Sequence, residues 1–155
     1  MSFEISKALE REIEKILSKY PNKDAALLPA LYAAQDEYGY VSKDVMVLLG
    51  KRLAISYAKV KAVATFYTMY NKKPVGKYHI QVCRNIACHL RGSKIVMETV
   101  KEVLNMEVGE TKGKFTLTAV ECLGACGTAP VMQINDDYHE ELTKEKVVEI
   151  LNSLK

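Results

Sequence analysis

The chain has 155 residues, 48% of them hydrophobic, enough to bury a core in one domain or in two small ones. The net charge is only +3, with eleven basic and eight acidic residues in 1–72 and an even balance in 73–155, so there is no basic footprint for nucleic acid. No run of about eighteen apolar residues occurs, which excludes a membrane-spanning helix.

Residues 1–72 read as helix throughout. Ile5, Leu9, Ile13, Ile16, Leu17 and Tyr20 recur at helical spacing and form one apolar stripe, closed by Pro21. A second helix runs from Asp24 to Tyr38 and stops at Gly39, with Pro29 costing it a hydrogen bond unless that residue falls in the first turns. Ser42 caps a third helix carrying Val45, Leu48, Leu49 and Leu53, and Ser56 caps a fourth carrying Val60, Val63, Ala64 and Tyr67. Four amphipathic helices with short connections make a bundle, and their stripes are read as core.

The stretch Asn71-Lys72-Lys73-Pro74-Val75-Gly76 ends that pattern, which places a boundary between a helical bundle over 1–72 and a second domain over 73–155. Beyond it the period changes to two. Tyr78, Ile80 and Val82 alternate with His79, Gln81 and Cys83, giving a strand that ends at the first cysteine. Ser93 caps a helix with Val96, Val100, Val103 and Leu104 on one face, Glu110 to Lys114 is a compact loop, and Phe115 to Cys122 is a second strand. After Pro130, Val131 to Ile134 is a short strand, Asn135-Asp136-Asp137 a turn, and Tyr138 to Leu142 an antiparallel return. Thr143 caps a last helix whose stripe of Val147, Ile150, Leu151 and Leu154 must lie on the sheet. The order strand, helix, three strands, helix suits an α+β or α/β thioredoxin-like sandwich, with ligand loops outside the carboxyl ends of the strands.

Four cysteines stand in two pairs, Cys83-x4-Cys88 and Cys122-x3-Cys126, in segments that read as loops at strand ends. Thiolates are soft ligands that select zinc, copper(I) or iron-sulfur clusters. Zinc turns most often separate paired cysteines by two residues so that both reach one ion, whereas a 2Fe-2S rhomb spreads two thiolates over each iron. Neither pair has the two-residue gap, so the 2Fe-2S reading leads, with a zinc-stabilised adaptor of no redox role kept as the alternative. Disulfides fit less well. Met1 to Lys7 show no apolar signal region, which leads to the expectation of a reducing cytosol where structural disulfides are rare. Arg84, Arg91 and Lys94 flank the first pair, as either solvated surface charge or cations beside an anionic cluster. His89 adjoins Cys88, but the cysteine count is already complete, so a solvent or hydrogen-bonding role is expected for it. Neither GxGxxG nor a Walker-type GxxxxGK loop occurs, and no Ser-His-Asp or paired-carboxylate site is arguable.

The segments Val82-Cys83-Arg84-Asn85-Ile86-Ala87-Cys88-His89-Leu90-Arg91-Gly92 and Glu121-Cys122-Leu123-Gly124-Ala125-Cys126-Gly127-Thr128-Ala129-Pro130 resemble the thioredoxin-like 2Fe-2S subunit of complex I, NADH:quinone oxidoreductase, called the 24 kDa or E-type polypeptide. Gln35-Asp36-Glu37-Tyr38-Gly39-Tyr40 and Thr65-Phe66-Tyr67-Thr68-Met69-Tyr70 extend the resemblance through the helical half. The resemblance implies that Cys83, Cys88, Cys122 and Cys126 ligate a 2Fe-2S cluster. It further implies one-electron exchange with the FMN of a partner flavoprotein (the 51 kDa or F-type subunit), which also binds NADH, among the other peripheral-arm subunits. The setting it implies is cytoplasmic, on the inner membrane through the complex, with no membrane insertion. The same module serves bifurcating hydrogenases and NAD-dependent formate dehydrogenases, which stay as alternatives. Gly92, Gly124 and Gly127 beside the ligands would let backbone N–H groups approach sulfur. Pro130 defaults to trans, with cis the thioredoxin-like alternative. Thioredoxin's own Cys-x-x-Cys is absent, so the chain is not read as a dithiol exchanger.

Overall fold

The structure, a computed structural model, describes residues 4–154; Met1, Ser2 and Phe3 of the expected helical domain, and Lys155, lie outside the described residues. Two compact units, 1–74 and 75–155, divide the chain, a junction two residues beyond the boundary read from the sequence.

In the first unit, α1 spans Lys7–Lys19, α2 Lys23–Tyr38, α3 Lys43–Leu53 and α4 Tyr57–Phe66. Each starts on a side-chain oxygen that accepts an N–H of the first turn: Ser6, Asn22, Ser42 and Ser56 in chain order. Gly39, left-handed at φ +79°, ends α2 with its N–H on the Gln35 carbonyl. Pro29 is the seventh residue of α2, inside the helix and past the first turn, so the helix forgoes one bond there. The core joins Leu9 and Ile13 of α1, Leu27 and Leu31 of α2, Leu49 and Leu53 of α3, and Val60 and Ala64 of α4. Each fully buried Leu or Ile contributes about 1.5–3 kcal/mol. Tyr20 and Tyr67, read as stripe members, stand instead at the C-caps of α1 and α4 and are exposed, because the helical period that would turn them inward has already ended. Gln35 ties the segment after α4 to α2: its Nε2 donates to the Met69 carbonyl at 3.0 Å, and its Oε1 accepts the Asn71 N–H at 2.6 Å.

In the second unit, β1 (Tyr78–Cys83) is followed by α5 (Ile86–Leu90), α6 (Ser93–Leu104), β2 (Thr111–Lys112), β3 (Phe115–Val120), β4 (Met132–Ile134), β5 (Asp137–His139) and α7 (Lys144–Ser153). The five strands form one sheet in the order β2-β3-β1-β4-β5. β1 pairs in parallel with β3, Cys83 opposite Val120, and antiparallel with β4, Val82 opposite Met132. The parallel pair forces both strands to end on the same side of the sheet, which is where the cysteines emerge. Ile80, Val82 and Leu117 of the sheet share a core with Val96 and Val100 of α6 and Val147 and Leu151 of α7.

Three expectations change here. Glu110 to Lys114 is not a plain loop, since Thr111 and Lys112 pair antiparallel with Thr116 and Phe115 as a short edge hairpin. Ser93 is not the cap of α6: it is the first helical residue and buried, while Gly92, left-handed at φ +100°, takes the cap position. The first cysteine pair does not sit in a loop throughout, because Cys88 rides on α5, a helix of five residues too short to show a period. Gly76 is required by a close approach, as a Cβ there would stand 2.6 Å from the Lys114 carbonyl oxygen beside β3.

Candidate metal centre

Cys83 is the last residue of β1, and its N–H donates to the Val131 carbonyl at 3.2 Å. Asn85 then caps α5, its Oδ1 accepting the Ile86 N–H at 2.7 Å, and this turn sets Cys88 facing inward. Both thiols are nearly enclosed, 3% and 2% exposed, in a small apolar cluster with Ala129 and Val131, against which Ala87, Leu123 and Ala125 pack. Cys122 and Cys126 come from the segment after β3, the second of them opening a 3-10 turn over Cys126–Thr128, and both are exposed. One pair is therefore dry and the other open to solvent.

Burial pushes the Cys88 thiol up to about 11. A hydrogen bond with Cys83 and the nearby charges of Cys83 and Cys126 push the same way. The Val131 backbone pulls the other way. Cys88 thus feels the charge of Cys126 as well as that of Cys83. At neutral pH it is a thiol, and a metal ion would take the place of its proton. Cys83 donates its S–H weakly to the Glu121 carbonyl at 3.8 Å, and the Gly124 N–H donates to Cys122 Sγ at 3.3 Å. Gly124 achieves this at φ +75°, a left-handed conformation that favours glycine. The glycine expectation divides: Gly92 N–H goes to the His89 carbonyl instead of sulfur, and Gly127 has an ordinary φ and open space at its Cβ position. The Ala129–Pro130 bond is cis, not the default trans.

Among the described residues, no three His, Cys, Asp or Glu side chains converge where a single ion would be held. A 2Fe-2S rhomb asks for something different, one pair of thiolates per iron. Two pairs of thiols, one buried and one exposed, fit that donor set in chemistry and in number.

Two of the three cations flanking the first pair are matched by carboxylates. Arg84 forms an ion pair with Glu121, the residue before the second cysteine pair, and Lys94 lies 3.8 Å from Glu98, one turn along α6. His89 is exposed on α5 and stays outside the apolar cluster. His79 is a structural residue: burial holds its imidazole below the usual range and a ring nitrogen meets Thr118 Oγ1 at 2.8 Å. Sequence reasoning missed Val131, whose carbonyl accepts the Cys83 N–H and which shares an apolar cluster with both buried cysteines, and Tyr138, whose hydroxyl donates to the Leu123 carbonyl at 2.9 Å and pins the second cysteine segment to β5. Neither had a local signal, since both act through contacts set by strand pairing.

Known proteins resemble this chain in sequence or in fold. The E-type polypeptide of NADH-quinone oxidoreductase from Rickettsia conorii is 47% identical over 146 residues, covering 91% of this chain and 87% of its own. The second E-type polypeptide of the same oxidoreductase from Rhizobium meliloti is 39% identical over 149 residues, covering 95% and 89%. A chain of an NAD+-reducing NiFe hydrogenase in the H2-reduced state superimposes with a TM-score of 0.71 at 18% identity, over 83% of this chain and 22% of that one, which is a likeness of fold. The family model described as thioredoxin-like 2Fe-2S ferredoxin matches residues 13–155. The chain belongs to the thioredoxin-like 2Fe-2S ferredoxin family.

Proposed function

We propose that Cys83, Cys88, Cys122 and Cys126 hold a 2Fe-2S cluster, and that the chain is the electron-transfer subunit of the NADH-oxidising module of an NADH:quinone oxidoreductase. What supports this reading is that a buried cysteine pair follows β1 and an exposed pair follows β3, two strands paired in parallel. Relatives at 47% and 39% identity, both named as the E-type polypeptide of that oxidoreductase, support the choice of host complex over a hydrogenase or formate dehydrogenase.

The group bound there supplies a one-electron acceptor and donor. Everything else is done by the chain. Cys83 and Cys88 would hold their side of the group in an apolar wall that keeps water out, while the Gly124 N–H stabilises negative charge on the Cys122 sulfur. The Arg84–Glu121 pair adds no net charge at the rim. The exposed pair marks the side open to a redox partner, which we assign to a flavoprotein subunit carrying FMN and NADH. The helical unit would grip that subunit, and Phe66, 77% exposed, with the exposed Tyr67 and Met69 offers it an apolar contact. No helix among the described residues is long and apolar enough to cross a membrane, so attachment to the inner membrane would run through the other subunits.

Protein purified without oxygen should contain iron and acid-labile sulfide in equal amounts, about two of each per chain as this cluster type requires. Cys88→Ala should bleach the visible absorbance, and the isolated chain should not oxidise NADH. Stoichiometric zinc in a colourless, natively isolated sample would overturn the cluster in favour of a zinc-stabilised adaptor.

A further inference from the structure

Cys122 Sγ accepts a hydrogen bond from the chain two residues on, the Gly124 N–H at 3.3 Å. The other end of that peptide group is occupied as well. Its carbonyl belongs to Leu123 and accepts the Tyr138 hydroxyl at 2.9 Å. Two hydrogen bonds thus run in series through a single peptide group, from Tyr138 O–H to the Leu123 carbonyl and from the Gly124 N–H to sulfur.

A peptide group is one delocalised system, so a donor at its oxygen makes its N–H more positive and a better donor in turn. Bonds linked in this way strengthen one another by about 10–30% each. Tyr138 therefore acts on the Cys122 sulfur without touching it. The sheet fixes its place, since Tyr138 is the middle residue of β5 and pairs with Gln133 of β4. With 47% of the side chain exposed, its ring contributes little to a core.

The second cysteine segment has other ties besides this hydroxyl. The Glu141 N–H donates to the Thr128 carbonyl at 2.7 Å and the Leu142 N–H to the Pro130 carbonyl at 3.1 Å, so the backbone after β5 holds the far end of the segment. The ion pair of Arg84 with Glu121 holds its near end. What the Tyr138 hydroxyl adds to these is polarisation of the Leu123–Gly124 peptide, and the atom that receives it is Cys122 Sγ.

We propose that Tyr138 is a positioning residue for electron transfer, which makes the centre held by Cys122 easier to reduce by polarising the Leu123–Gly124 peptide. This rests on the reading of Cys122 as a ligand of a 2Fe-2S cluster. Reduction adds one negative charge, shared in part by the ligand sulfurs, and an N–H donor at sulfur favours the more negative state. A stronger donor raises the potential further.

The test is a redox titration of the cluster-loaded full chain, wild type against Tyr138→Phe, followed by visible absorbance. Iron and sulfide content should be the same in both. The equilibrium constant for one-electron reduction should fall at least about twofold in the variant, a midpoint about 18 mV more negative at about 59 mV per tenfold. The Fe–S stretching bands of the oxidised protein, read by resonance Raman, should move to higher frequency, because a weaker N–H donor leaves more sulfur charge for iron. Tyr57→Phe, which removes an exposed hydroxyl from the helical unit, should leave both readouts where they were. A midpoint that is unchanged or more positive in Tyr138→Phe, or that Tyr57→Phe shifts equally, would overturn the proposal and leave the cluster reading intact. Loss of iron or sulfide in Tyr138→Phe would make the hydroxyl a structural brace and overturn it too. A natively isolated wild type without iron would overturn the cluster reading, and this proposal with it.

Discussion

Tyr70 shows how much one side chain can depend on its surroundings. It lies in the run Phe66-Tyr67-Thr68-Met69-Tyr70, five residues with nothing local to distinguish a core aromatic from a surface one. The structure divides them: Phe66 is 77% exposed, whereas Tyr70 is wholly buried and donates its hydroxyl to the Leu28 carbonyl at 2.9 Å. Burial raises its phenol from 10.0 to about 12, because ionisation would place a charge in the bundle core. The folded value lies above the unfolded one, so the associated stability is fully present below pH 10 and is lost as pH rises through about 12. Tyr70→Phe should therefore cost about 1 kcal/mol at neutral pH, the worth of one net hydrogen bond. It should also flatten the fall in melting temperature across that alkaline window, which a series of thermal unfolding curves would show. An unchanged alkaline slope in the variant would remove Tyr70 as its source.

Helix starts are legible because capping is local. Ser42 accepts the Val45 N–H at 3.2 Å and Thr143 accepts the Lys146 N–H at 3.3 Å, both at the positions that the sequence marks. Ser42→Ala should destabilise the helical unit by about 1 kcal/mol, while Ser42→Asp, which keeps an acceptor and adds favourable charge at a helix start, should cost less. Urea midpoints of the two variants check this, and equal losses would mean that the hydroxyl does not cap. The start of α6 departs from the sequence expectation for a physical reason. Ser93 has the chemistry of a cap, but α5 ends only at Leu90 and the chain must reverse at once, so left-handed Gly92 takes that position. α5 and β2, at five and two residues, are too short to leave a period in the sequence.

At the scale of the molecule, the division of labour follows the two units. All four cysteines, the strands that carry them and the covering helices α6 and α7 belong to residues 75–155, with their own apolar core. A fragment of residues 73–155 should accordingly fold and hold the cluster, with a visible spectrum like that of the full chain. It should bind the proposed flavoprotein partner much more weakly, because Phe66, Tyr67 and Met69 are gone. Pull-down with both forms measures the difference, and equal binding would refute the role assigned to the helical unit.

The amino-acid sequence by itself determined the longer elements and the chemistry: apolar period, capping residues and turn residues act over a few positions, and four cysteines in two pairs limit the ligand class wherever they lie. Tertiary structure alone decided how those parts meet. Parallel pairing of β1 with β3 brings Cys83 level with Val120 and so carries the segment holding Cys122 and Cys126 to the first pair. Antiparallel pairing with β4 brings Val131 to both buried thiols. These contacts join residues some forty positions apart, and no local preference encodes them: they exist because the sheet order that buries Ile80, Val82 and Leu117 under α6 and α7 also fixes where the strand ends lie.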